Sequence, residues 1–153
     1  KAGAEVTHVD ASKKAIAYAF ENREVAGLQD APIRFITDDA MRFVEREIRR
    51  GRRYDGIIID PPKYGRGPKG ELWHIHQNLV PLISACRELL SETPLFMLLT
   101  IYAIRASSQA AHYALREVMI NGRVTSGELA VAEAQDNPRV IAQANYARWQ
   151  PAN

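Results

Sequence analysis

An α/β fold, in which a doubly wound, mostly parallel sheet carries helices on both faces and ends in an antiparallel hairpin, is what this sequence predicts. Three observations carry the prediction. Short β-branched or apolar runs alternate with stretches of helical periodicity from residue 6 to residue 119. The run at 55–60 is apolar throughout its centre, as suits a strand covered on both faces. The last two strand-like runs, 127–133 and 139–149, are separated by a turn of hairpin length at 134–138 and should pair antiparallel.

The elements follow in order. Val6, Thr7, His8 and Val9 form a strand that ends at Asp10, and Ser12 caps a helix whose Ile16, Ala19 and Phe20 fall at helical spacing. After Gly27 and the turn at 30–32, residues 33–36 are a second strand. A helix with Ala40, Phe43, Val44 and Ile48 on one face follows and stops at Gly51. The third strand, 55–60, is expected at the sheet centre. Residues 61–72 hold three prolines and three glycines and read as a long loop. The next helix carries Ile75, Leu79, Leu82, Ile83, Cys86, Leu89 and Leu90 along one stripe, with Pro81 expected to kink it or delay its regular part. A fourth strand at 95–100 precedes a helix capped by Ser107 or Ser108, lined by Ala111, Leu115, Val118 and Met119 and ended by Gly122. The right-handed crossover of β-α-β units makes the strands at 6–10, 33–36, 55–60 and 95–100 mutually parallel.

Composition narrows the function classes. The 153 residues are 46% hydrophobic and 25% charged, which fits one globular domain with a core and excludes a disordered, collagenous or coiled-coil chain. No apolar run reaches the roughly 18 to 20 residues of a bilayer crossing, so no membrane partner is expected. One cysteine cannot form an internal disulfide, which fits a reducing, cytoplasmic setting. Twenty basic against 18 acidic residues give +2, too little to mark a nucleic-acid binder by charge alone. The chain enters its first strand at once, with neither Met nor a targeting segment, and so reads as a fragment whose N-terminal side is missing.

Ligands of such a sheet bind beyond the carboxyl ends of the strands, and the residues there are acidic. Asp10 leaves the first strand, Asp38 and Asp39 the second, and Asp60 the third. Asp10 stands where a carboxylate accepts the hydroxyls of an adenosine ribose, which is the favoured reading over a mere helix start shared with Ser12. Asp39, Ala40 and Met41 could meet an adenine, the carboxylate accepting from its amine and a backbone N–H donating to the ring; capping by Asp38 or Asp39 is the competing use. The richest segment is Asp60-Pro61-Pro62-Lys63-Tyr64-Gly65. Two locked prolines without N–H groups present carbonyls in fixed directions, and beside them stand a carboxylate, a base and an aromatic ring. That set can hold an amine or ring N–H of a flat base.

Val9-Asp10-Ala11-Ser12, Asp38-Asp39-Ala40, and 55–64 ending in Asp60-Pro61-Pro62-Lys63-Tyr64, together with the terminal hairpin, resemble a class I S-adenosylmethionine-dependent methyltransferase, more narrowly the bacterial large-subunit ribosomal-RNA base methyltransferases. The resemblance covers nearly the whole chain. It implies a Rossmann-like fold whose first strand and glycine-rich loop are missing before Lys1, with residues 1–153 as the catalytic domain. It implies S-adenosylmethionine bound by Asp10, Ala11, Ser12, Asp38, Asp39, Ala40 and Met41, and a methyl-transfer site made of Asp60, Pro61, Pro62, Lys63 and Tyr64. The implied substrate is RNA, ribosomal in the narrower resemblance.

Departures from the pattern shape the chemistry. Amino-group methyltransferases with an aromatic directly after the two prolines differ from this chain, where Lys63 intervenes before Tyr64. Cytosine C5 transfer needs a nucleophilic cysteine near the end of the strand at 95–100, and residues 101–105 supply none; Cys86 reads as a buried apolar side chain. Transfer to nitrogen or oxygen is therefore expected. Lys63, Arg66 and Lys69, interleaved with Tyr64 and Trp73, suit a nucleic-acid substrate or a solubilising loop. Arg46, Arg49, Arg50, Arg52 and Arg53 are expected at the opposite sheet edge. His8, His74, His76 and His112 show no ligand spacing, so no metal is expected. Two rival functions stay in view: a nicotinamide-dependent oxidoreductase, against which the antiparallel ending argues, and a catalytically degenerate methyltransferase fold serving as an RNA-binding module.

Overall fold

The computed structural model describes residues 3–136 and 138–152; Lys1, Ala2 and Asn153, and Asn137 of the expected final turn, lie outside the described residues. Eight strands and four helices run β1 (Val6–Asp10), α1 (Lys13–Val25), β2 (Ile33–Thr37), α2 (Ala40–Arg49), β3 (Gly56–Ile59), β4 (Tyr64–Arg66), β5 (Leu72–His74), α3 (Ile75–Glu88), β6 (Phe96–Ile101), α4 (Ser108–Val118), β7 (Arg123–Ala132) and β8 (Val140–Gln150). The alternation of strand and helix is the one the periodicity predicts.

The parallel strands form two separate ladders. β1 pairs with β2 in parallel, Asp10 opposite Thr37, and β3 pairs with β6 in parallel, Ile59 opposite Leu99. The second ladder continues antiparallel through β8 to β7, giving the order β3-β6-β8-β7. β7 begins four residues earlier than the run at 127–133 suggests. Its first residues, Arg123, Val124, Thr125 and Ser126, lack a strong alternating pattern, and it is their pairing with 147–150 that holds them extended. β3 is an edge strand rather than the sheet centre: it bonds β6 on one side only, and Ile58 is 65% exposed. Apolarity marks a strand built to be covered, and here that cover is absent on one side.

Two further expectations are corrected. The stretch 61–72 is no simple loop, because Tyr64–Arg66 and Leu72–His74 pair antiparallel across a turn. Gly70, at φ 91°, supplies the left-handed conformation there and donates to the Gly67 carbonyl at 3.0 Å. Pro81 does not interrupt α3, which runs from Ile75 to Glu88 with the proline on an exposed face; only one ladder donor is lost.

A single apolar cluster joins these parts. Leu82, Ile83 and Cys86 of α3, Leu115 and Val118 of α4, Met97 and Leu99 of β6 and Trp149 of β8 are all buried in it. Phe43 and Val44 of α2 belong to the same cluster, with Val9 and Ile36 packed at its margin, so both ladders share one core. Glu47, only 1% exposed, is the exception in polarity. Tyr54 donates to it at 2.8 Å, Arg50 at 3.2 Å and Arg34 at 3.4 Å. Burial works against its ionisation, but these donors outweigh that effect and hold the carboxyl below its usual range.

Candidate active site

Parallel registration brings the acidic exits to the carboxyl ends of the two ladders. On the first, the Asp38 N–H donates to the Asp10 carbonyl at 3.2 Å, so these two exits are adjacent. One carboxylate oxygen of Asp10 accepts from the Ser12 N–H at 2.7 Å, and Ser12 in turn caps α1 by accepting from the Ala15 N–H. The local geometry thus uses one Asp10 oxygen, and the other has no partner among the described residues. Ala11 lies between them, half-buried.

Asp38 and Asp39 divide the work at the start of α2. Both oxygens of Asp38 are engaged, one by the Asp39 N–H at 2.9 Å and the other by Arg46 at 2.5 Å. Asp39 is the N-cap, accepting from the Arg42 N–H at 3.0 Å. The first-turn N–H groups of Ala40 and Met41 have no partner among the described residues. Arg46 was expected opposite the strand exits, yet it reaches Asp38; a long side chain on a helix points back toward the N-terminus, here along about two turns.

On the second ladder, Asp60 follows the last residue of β3 and stands beside Thr100 of β6, whose hydroxyl donates to an Asp60 carboxylate oxygen. Thr100 is buried and Asp60 exposed, so one oxygen is fixed from below while the carboxylate faces outward. Pro61 is buried. The Pro62 carbonyl accepts from the Trp73 indole N–H at 2.6 Å, and the Lys63 carbonyl from the Ile75 N–H at 3.1 Å. These bonds clamp the two-proline turn to the β4–β5 hairpin. Tyr64 opens β4, 58% exposed, with the His74 ring edge-on at 4.6 Å and the Lys63 ammonium 5.3 Å from its ring centre.

An ion pair ties the two regions together. Arg42, next to Met41, reaches Glu71 of the hairpin at 2.6 Å and holds that carboxyl below its usual range. Thr100 and the Arg42–Glu71 pair are the contributors that sequence reasoning missed, and Trp73, expected beside the site, serves it through its bond to the Pro62 carbonyl. Only the register between β3 and β6 could have pointed to Thr100, since a strand-end hydroxyl beside a strand-end acid is visible once Ile59 is set opposite Leu99. After β6, Ala103 takes φ 56°, a strained conformation for alanine, at a strand exit that no composition signal marks.

Cys86 lies within the core, 4% exposed, with its thiol pushed up to about 12 by burial. His74 and His76 have ring centres 5.6 Å apart, and among the described residues no three His, Cys, Asp or Glu side chains gather as a metal site. No helix among them is long and apolar enough to cross a membrane.

Parallel strands, acidic exits and an antiparallel last strand define a class, the α/β, Rossmann-like fold of methyltransferases. The chain is similar over 98% of its length to half of a SAM-dependent methyltransferase of Agrobacterium tumefaciens, at 51% identity and a TM-score of 0.91. It is also similar to the ribosomal RNA large subunit methyltransferase I of Klebsiella pneumoniae subsp. pneumoniae, 31% identical over 83 residues, and to that of Erwinia tasmaniensis, 38% identical over 83 residues. Each alignment covers 54% of this chain and 18% of the relative. The chain thus resembles class I S-adenosylmethionine-dependent methyltransferases, and among them those of the large ribosomal subunit. It spans half the length of the solved relative and matches under a fifth of the curated ones. No protein-family model matches the chain.

Proposed function

We propose that this chain is the catalytic domain of a cytoplasmic S-adenosylmethionine-dependent methyltransferase that acts on a nitrogen or oxygen of an RNA base, with ribosomal RNA the favoured substrate. The observation that carries this reading is the Asp60 exit, an outward carboxylate fixed by Thr100 beside a clamped Pro-Pro turn and an exposed ring. The similarity to the Agrobacterium enzyme supports it. The antiparallel β8 weighs against an oxidoreductase, whose sheet would finish in parallel strands.

The residues present fit the cofactor. Asp10 has a free carboxylate oxygen for ribose hydroxyls, Asp39 has one for an adenine amine, and the N–H groups of Ala40 and Met41 are open to a ring nitrogen. Ala11 and Ser12 shape the turn that aims Asp10, and Asp38, braced by Arg46, fixes the start of α2. S-adenosylmethionine, when bound, supplies an electrophilic methyl group. Asp60 accepts from the target N–H or O–H and disperses the positive charge that grows on it during attack. Pro61 and Pro62 hold that acceptor edge rigid, Tyr64 contacts the base, and Lys63 offers a cation to its phosphate. Alignment and exclusion of water provide most of the rate.

The separate ladders support a further part of this reading. β1 and β3 each carry an unpaired edge, and a parallel strand between them, followed by a glycine-rich loop, would join the ladders into one sheet and cover Ile58. The 153 residues alone should then bind S-adenosylmethionine weakly or not at all; calorimetry showing micromolar binding would contradict the missing strand. The function itself is tested by transfer of labelled methyl from S-adenosylmethionine to total RNA and by mass spectrometry of nucleosides from cells with and without the protein. Label in protein or small molecules, with RNA unlabelled, would overturn it.

A further inference from the structure

We infer that the groove over the β4–β5 hairpin seats an unpaired nucleotide flanking the methylated base, its ring against His74 and Leu72 and its phosphate against Arg66. The inference rests on the methyltransferase reading of the Asp60 exit and extends it from the target base to the neighbouring chain. A cavity of about 450 Å³ lies here, lined by Tyr64, Arg66, Leu72, Trp73, His74 and Gln77. That volume is in the range of ligand sites, roughly 300–1,000 Å³. Its apolar parts are unusually open for a hairpin: Leu72 is 72% and Tyr64 58% exposed.

The hairpin is rigid where it meets the reacting edge. Trp73 holds the Pro62 carbonyl and Ile75 holds the Lys63 carbonyl. A nucleotide in the groove is therefore held at a fixed offset from Asp60. The His74 ring is oriented by packing against Tyr64, since its buried Nδ1 has no hydrogen-bond partner among the described residues. The ring so held lines the cavity beside Leu72 and Trp73, and stacking on an aromatic side chain tolerates any base.

Charge selects the occupant. Lys63, Arg66 and Lys69 have no acidic partner within 4.0 Å among the described residues, while the hairpin's own acid, Glu71, is already engaged by Arg42. Arg66 in the lining of an apolar, aromatic cavity, with Lys63 and Lys69 nearby in the chain, fits a polyanion that carries flat rings. A duplex hides its ring faces in the stack, so the occupant is single-stranded.

The probe is a fluorescein-labelled single strand of about ten uridines, compared by anisotropy with a duplex of about 16 base pairs. Wild type should favour the single strand by about tenfold or more, and Arg66→Glu and Leu72→Asp should each weaken it by about tenfold while melting temperature is kept. A strand carrying 4-thiouridine should crosslink within residues 64–77. In methyl transfer the same variants should raise KM for RNA and spare kcat at saturating RNA. Variants that bind like wild type, equal affinity for duplex, or crosslinks confined to 49–53 would overturn the inference while leaving the methyltransferase reading intact. Weakened binding by the variants in an intact protein that transfers no methyl to RNA would uphold the groove and overturn that reading instead.

Discussion

Replacing Thr100 with valine isolates what holds Asp60. The hydroxyl is buried in β6 and donates to the Asp60 carboxylate, while the carboxylate itself is exposed. Valine keeps the shape and removes one hydrogen bond to a charged group, a bond worth roughly 1.5–3 kcal/mol when both ends are dry. Water can refill the Asp60 end, so the stability cost should fall to about 1 kcal/mol. The catalytic cost is separate. Released from Thr100, Asp60 can sample about three χ1 wells instead of one, which takes about 0.65 kcal/mol, or threefold, from the productive population. Looser alignment raises the expected fall in kcat to about three- to tenfold, against about a hundredfold for Asp60→Ala. Single-turnover transfer of labelled methyl to RNA at saturating cofactor measures both. The decisive comparison is the double variant: if Thr100 acts through Asp60, adding Thr100→Val to Asp60→Ala costs nothing further. Multiplicative losses, or an unchanged rate in Thr100→Val despite a lower melting temperature, would refute this assignment and leave Thr100 as a packing residue.

Three other expectations follow from named contacts. In the intact protein, Asp10→Ala should weaken cofactor binding by about 1.5–3 kcal/mol if two charge-assisted hydrogen bonds are lost; unchanged affinity with a lower melting temperature would make Asp10 only the residue that opens α1 through Ser12. Cys86, its thiol pushed up to about 12, should resist a disulfide reagent at pH 8 until the protein unfolds, and Cys86→Ser should leave methyl transfer intact. A folded but inactive serine variant, or a covalent RNA adduct of wild type, would instead assign Cys86 to carbon methylation. Glu47 has a folded pKa below its usual 4.5, so its ionised form contributes stability that is present above that value and lost as pH falls through the lower, folded one. The stability gap between wild type and Glu47→Gln should therefore close on acidification, and chemical denaturation showing a gap that widens would contradict the network around it.

How far the sequence could be read depends on the range of the forces involved. Ser12 and Asp39 were legible as helix starts because a cap is decided within three residues, and the alternation of strands and helices was legible because periodicity is local. Cys86 was legible as a core residue from its place on the α3 stripe. What escaped depends on partners distant in the chain. Thr100 gains meaning only beside Asp60, 40 residues earlier, and the loop at 61–72 becomes a hairpin only because Trp73 finds the Pro62 carbonyl and Glu71 finds Arg42.

The edge position of β3 shows the same limit in reverse. Three successive isoleucines encode a demand for cover on both faces, and the sequence states that demand without stating what meets it. In the structure the demand is only half met, with Ile59 buried on one face and Ile58 exposed on the other. An apolar strand of this kind would aggregate if left open, because its unpaired N–H and C=O groups template any passing strand. The local rules and the observed fold disagree here, and the disagreement falls directly beside Asp60. On the proposed reading, a strand pairing along the open edge of β3 would also stand beside Asp60, the residue that follows β3.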